Sequence, residues 1–222
     1  MTGVIAGRQR PGQPAACQLR PAGPFIGRVD TLGTLGRTLG FSLGAGINLY
    51  ATVALLGLAQ RFEWVTLPEQ MRVFDDDLVI GVALALYVIE FFADKIPWVD
   101  TLWDGLHSFI RPAGGALVAL ASYGHADPST MVLIGLLGAA VAASGHATKA
   151  SARAAVNLSP EPFTNWILSF GEDVFVVGLA ILAMSHPVIA FAVTLATLAS
   201  IVFFATWIVA ALRRRFARPS RA

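Results

Sequence analysis

Glu90 and Asp94 stand four residues apart in an otherwise apolar stretch, so on a helix their two carboxylates share one face. Paired acids among apolar residues could bind a cation or relay protons, and Lys95 and Arg111 are available as counter-charges. An equally weighted structural reading makes Glu90 and Arg111 an ion pair that locks two helices together. Glu172 and Asp173 are adjacent and point about 100° apart on a helix, so one can meet Arg111 or Lys149 while the other faces solvent or a pore. If their helix begins only at Gly171, they instead complement a helix N-terminus. His146 and Lys149 are three apart on one face, with Arg153 a turn beyond. That stripe reads either as an anion site or as cations snorkelling to a membrane boundary.

These charges must be positioned by lipid-embedded helices. Of 222 residues, 55% are hydrophobic and only 14% charged, too apolar for an ordinary soluble domain. A span needs about 20 apolar residues. The stretches 38–60 and 128–148 qualify, and 174–212 divides at Ser185, His186 and Pro187 into two spans. Shorter stretches at 78–93 and 105–123 carry Glu90 and Arg111. The expectation is an all-α polytopic membrane helix bundle of about six transmembrane helices.

Arginines cluster before the first span and after the last, while the 61–77 loop is acidic, which puts both chain ends on the cytoplasmic side. Residues 1–36 read as a disordered basic arm rather than a cleaved signal, 37–212 as the transmembrane domain and 213–222 as a basic tail. Trp98, Trp103, Trp166 and Trp207 fall near inner boundaries and Trp64 near an outer one. The net charge of +2 comes with no nucleic-acid motif, so no nucleic-acid partner is expected.

IGVALALYVIEFFADK lies over IGLLGAAVAASGHATK at identical spacing, and Ser108–Phe109 echo Ser169–Phe170. This suggests a parallel internal repeat, units 78–123 and 131–184, unless two alanine-rich helices coincide. Each unit bends through a polar elbow, near 95–110 and 150–165, that reads as a short interfacial or re-entrant helix. Thr101 with Asp104 forms a capping box in the first elbow, and Ser159 precedes Pro160 in the second.

Gly36, Gly40 and Gly44 form a small-residue stripe for close helix packing, and a buried Asn48 beyond them would need a hydrogen-bond partner. Four scattered histidines and a lone Cys17 make no metal centre. No catalytic motif or cofactor fingerprint occurs, so neither enzyme activity nor a cofactor is expected.

The segments AGINLYATVALLGLAQR, IEFFADKIPWVDTLWDGLHSFIRPAGGAL and GHATKASARAAVNLSPEPFTNWILSFGEDV resemble an uncharacterised bacterial membrane family, domain of unknown function 4126, over residues 38 to 212. The resemblance implies a helical protein of the bacterial inner membrane and supplies no substrate or catalytic residue. The charges within the spans favour a transporter or channel for a small ion or solute. The alternative is a non-catalytic scaffold that binds partner helices or a second copy through the glycine stripe and elbows. An enzyme acting on lipid head groups through Asp100, Asp104 and His107 ranks third.

Overall fold

A computed structural model describes residues 24–157 and 162–216, which are helical with no strand among them. Seven α-helices follow in order: α1 Pro24–Ile47, α2 Leu49–Arg61, α3 Asp77–Ala93, α4 Pro97–Tyr123, α5 Pro128–Asn157, α6 Pro162–Ser185 and α7 Pro187–Phe216. Five of the seven begin on proline, whose fixed φ suits the first turn and whose missing N–H is not needed there. A short 3-10 helix, Glu69–Phe74, lies between α2 and α3. Asp76 caps α3 by accepting the Leu78 and Val79 amides. Asp127 caps α5, and donors from Ser129 and Thr130 hold its carboxyl well below the usual range. Gly124, at φ 90°, ends α4 in a conformation that favours glycine.

The expected first span is two helices. Its hydrogen-bond ladder breaks at Asn48, which is extended (φ −144°, ψ 97°) and accepts the Ala51 amide as the cap of α2. The chain doubles back there. A Cβ on Gly44 would lie 3.0 Å from Thr52 Oγ1, whereas eight residues of straight helix rise about 12 Å. α1 and α2 therefore form a helical hairpin with its tip at Asn48.

The other helices fix the hairpin's direction. Gly36 abuts Pro187, the first residue of α7, and Thr38 accepts a hydrogen bond from Ser122 near the end of α4. Farther along α1, Gly44 meets Val176 in α6 and Gly46 meets Ala142 in α5. α1 thus runs parallel to α5 and α7 and antiparallel to α4 and α6. α2 returns to the side it came from, where Arg61 pairs with Asp75 and Asp77 at 2.6 Å each. That side also holds the α4–α5 and α6–α7 turns and is called the turn face. The opposite side is the elbow face, where α3 meets α4 and where α5 ends.

Four expectations change as a result. The 38–60 stretch is not a single crossing. With α1 parallel to α7, the start of α1 and the end of α7 lie on opposite faces, so the described helices do not return both ends to one side. Residues 24–36 belong to α1 rather than to a disordered arm, and 213–216 extend α7; residues 1–23 and 217–222 lie outside the described residues. No short elbow helix forms among the described residues. The first elbow is a three-residue turn, after which α4 is continuous from Pro97 through Pro112. Thr101 donates to the Pro97 carbonyl instead of capping, and Ser159 lies outside the described residues.

Among the described residues three helices are long and apolar enough to cross a membrane: Pro128–Asn157, Phe163–Ser185 and Pro187–Arg214, fewer than the six expected. α3 falls short at 17 residues. α4 does not qualify either, and its polarity is turned inward: Asp100, Asp104, His107 and Arg111 are buried while Leu102, Leu106, Phe109 and Leu117 are exposed. An apolar outside around a polar inside suits lipid as solvent. The apolar core proper, with Phe41, Leu43, Leu56, Met71 and Val118, lies around the hairpin.

Gly36, Gly40 and Gly44 pack within the chain, against Pro187, Ala183 and Val176 respectively and their neighbours on α6 and α7. Trp64, Trp98, Trp166 and Trp207 are exposed, as a membrane belt requires. Trp103 is turned inward and stacks on His107 with ring centroids 4.7 Å apart.

Candidate functional site

Helical spacing on four elements brings nine charged side chains into one buried cluster. α3 contributes Glu90 and, at its C-cap, Asp94. α4 contributes Asp100, Asp104 and Arg111, spaced by four and seven residues on its buried face. Lys149 and Arg153 come from α5 with His146 one turn earlier, and Glu172 and Asp173 from α6. Because α6 begins at Pro162, the two acids lie about three turns inside it, which excludes the reading as N-terminal residues.

Each base holds more than one acid. Arg111 donates from Nη2 to Glu90 Oε1 at 2.7 Å and from Nη1 to Asp104 Oδ1 at 3.3 Å. Lys149 Nζ lies 3.1 Å from Glu90 Oε1, 2.9 Å from Asp94 Oδ2 and 3.6 Å from Glu172 Oε2. Arg153 forks onto Glu172, with Nη2 to Oε2 at 2.7 Å and Nε to Oε1 at 3.3 Å, and also reaches the side chain and carbonyl of Asp94. The arginine, lysine and glutamate at the centre are almost wholly buried, so these pairs are little screened by solvent.

The contacts of the two histidines here differ in what they fix. Arg111 Nη1 donates to His146 Nδ1 at 2.8 Å, so His146 carries its proton on Nε2 and presents it to Ser108 Oγ at 3.1 Å. His107 Nδ1 faces the Trp103 carbonyl at 2.8 Å and must donate to it, and Nε2 is hydrogen-bonded with the Tyr50 hydroxyl at 2.9 Å. The hairpin tip closes the cluster from the other side: Asn48 Nδ2 donates to Asp173 Oδ1 at 3.0 Å.

At the elbow face Asn157 extends the α5 stripe by one more turn. Its Nδ2 donates to Asp100 Oδ2 at 2.8 Å, and its Oδ1 accepts from Asn165 of α6 at 2.8 Å. Three carboxylate oxygens in the cluster have no donor: Glu90 Oε2, Asp94 Oδ1 and Asp100 Oδ1. An open apolar crevice of about 400 Å³ between α1, α5, α6 and α7 reaches the cluster at Lys149 and Glu172.

Of the residues singled out from sequence, Glu90, Asp94, Arg111, His146, Lys149, Glu172 and Asp173 meet here, and Asn48 has its partner. Lys95 does not join them. Its Nζ donates to the Phe91 carbonyl at 2.8 Å and sits 3.0 Å over the Phe91 ring, half-buried at the elbow. Lys95 and Lys149, which the internal alignment pairs, thus have different surroundings. His146, Lys149 and Arg153 do lie on one face, but they are inside the bundle and paired, not snorkelling. Asp100, Asp104, His107 and Asn157 are the members that sequence reasoning left out of the central site. The i, i+4, i+7, i+11 spacing of residues 100, 104, 107 and 111 is their signal, legible once α4 is read as one helix from Pro97.

No group of three or more histidine, cysteine, aspartate or glutamate side chains among the described residues is arranged to hold a metal ion. Residues 35–207 match the family model described as Domain of unknown function (DUF4126). No curated protein and no solved structure matches the chain.

Proposed function

We propose that this chain, which belongs to the family described as Domain of unknown function (DUF4126), is a membrane transporter or channel for a small ion or solute. In this reading α3 to α7 cross the bilayer and the α1–α2 hairpin enters and leaves at the turn face. The elbow face is cytoplasmic, with Arg213 and Arg214 at the end of α7 and an acidic turn-face loop opposite, in a bacterial inner membrane.

The observation that carries the reading is the charge imbalance of the buried cluster at the level where a helix is broken. Six carboxylates, Glu90, Asp94, Asp100, Asp104, Glu172 and Asp173, face three permanent cations, Arg111, Lys149 and Arg153. Balanced pairs suffice to hold helices together; an excess of one sign is costly and marks a site for a mobile ion. The break between α1 and α2 at Asn48 lies beside the cluster, and an irregularity of the backbone is tolerated at membrane depth only where protein or a hydrated cavity surrounds it.

Purified protein in liposomes should pass an ion or small solute, and Glu90→Gln should reduce that flux. Unchanged flux in the variant removes Glu90 from the path, and no flux across a broad ion and solute panel overturns the class.

The scaffold reading retains one supporting observation. The glycine stripe is already covered within the chain, but Phe203, Phe204, Trp207 and Ile208 in the second half of α7 are exposed, a face that a partner helix or lipid would cover. A stable membrane partner that co-purifies with the wild type and is lost in Phe203→Ser would favour it.

A further inference from the structure

Pairing the cluster one acid to one base, by closest contact consistent with full use of each base, joins Glu90 to Arg111, Asp94 to Lys149 and Glu172 to Arg153. Asp100, Asp104 and Asp173 remain. Asp104 shares Arg111 at 3.3 Å, and Asp173 has the neutral Asn48 amide. Asp100 is the least compensated. Wholly buried, it takes one neutral hydrogen bond, from Asn157 to Oδ2, while Oδ1 has no donor and lies 4.0 Å from Arg153 Nη1. The other charged groups facing it are acids: Asp104, one turn along α4, and Asp94 at the end of α3.

The other basic side chains near the cluster make no hydrogen bond to Asp100. His146 is held neutral by the Arg111 donor, His107 is engaged by the Trp103 carbonyl and the Tyr50 hydroxyl, and Lys95 by the Phe91 carbonyl and ring. Metal-binding geometry is absent among the described residues. A buried carboxylate whose only counter-charge is as distant as Arg153 and shared with other acids is placed to take up a proton. Asp100 is also placed to exchange one: its partner Asn157 is only partly buried and bonds to the exposed Thr101 at the elbow face.

We propose that the ion handled by this site is the proton, and that Asp100 is the carboxyl that exchanges it with solution at the elbow face. Protonation forms an O–H bond on Oδ1, the oxygen without a donor, and removes one negative charge from the buried excess. The purpose of the site rests on the transport reading, but the protonation itself is measurable without transport.

The test is infrared difference spectroscopy of the full chain in lipid between about pH 5 and about pH 9, a window that covers buried carboxyls with strongly displaced titrations. The wild type should show the carbonyl stretch of a protonated carboxylic acid, titrating within the window. Asp100→Asn should remove a titrating component, Asp100→Glu should keep it with a shifted midpoint, and Glu69→Gln in the turn-face loop should change nothing. Absence of the band in the wild type overturns the proposal. So does a band left intact in a folded Asp100→Asn protein; if that variant fails to fold, an unshifted midpoint in Asp100→Glu has the same force. Flux of another ion without any such band would overturn the proton inference and leave transport standing. A titrating Asp100 band with no flux of any kind would do the reverse.

Discussion

Asn48 and Asp173, 125 positions apart in the chain, are joined by a 3.0 Å hydrogen bond that ties the tip of the α1–α2 hairpin to the middle of α6. The same Asn48 side chain accepts the Ala51 amide, so one residue both starts a helix and docks the hairpin.

Asn48→Ala should lower the thermal midpoint in detergent, by about 1 kcal/mol for the lost cap and a further ~1–3 kcal/mol for the buried acceptor left without its donor. Asn48→Asp keeps the cap acceptor but sets a second carboxylate against Asp173, and should be the less stable of the two. An Asn48→Asp protein as stable as the wild type would show that the contact with Asp173 carries no weight.

Arg111 holds Glu90, Asp104 and His146 together, and breaking a buried pair from one side costs about 3–5 kcal/mol. Arg111→Met should therefore be severely destabilised, and Glu90→Gln in the same protein should restore part of the loss. Measured as a double-mutant cycle, a coupling near zero would remove the pair as a structural element.

A Cβ on Gly46 would collide with the Ala142 backbone, whereas Gly171 and Gly178 have open space at that position. Gly46→Ala should destabilise the bundle. Gly171→Ala and Gly178→Ala should leave it unchanged or raise its stability by about 0.5–1 kcal/mol, because alanine is the better helix former. Thermal unfolding of the three proteins side by side decides it.

The hairpin makes a topological claim that thiol labelling can check. With Cys17 replaced by serine, single cysteines at Thr31, Glu63, His125 and His186 should react with an impermeant reagent from one side of sealed vesicles. A cysteine at Trp98 should react from the other. Labelling at Thr31 from the side of Trp98 would restore a single crossing over 38–60.

Much of the site was legible because charge is conspicuous against an apolar background. Glu90 with Asp94, and His146 with Lys149, announce their shared faces by spacing alone, and all four meet in the cluster. Asp100 and Asp104 were harder to place. Thr101 with Asp104 has the spacing of a capping box for a short elbow helix, but Pro97 at the first turn opens one long helix that runs through both. The hairpin was hidden for a related reason. The stretch from Leu39 to Gln60 contains neither charge nor proline, and hydropathy sums composition without sensing direction. An asparagine that caps one helix while bonding a partner 125 residues away is a tertiary event, visible locally only as one polar residue in an apolar run.

The close contact of Gly36 with Pro187 bears on how the molecule is made. Five helices separate α1 from α7 in the chain, so the seam of the earlier helix stays uncovered until α7 has been synthesised. Meanwhile Asn48 and the hydroxyls of α1 wait for partners on α4 and α6. Assembly of this bundle is therefore a closing step rather than a sequential one, and a chain truncated before Pro187 would be left with an unsealed hairpin, a natural substrate for membrane quality control.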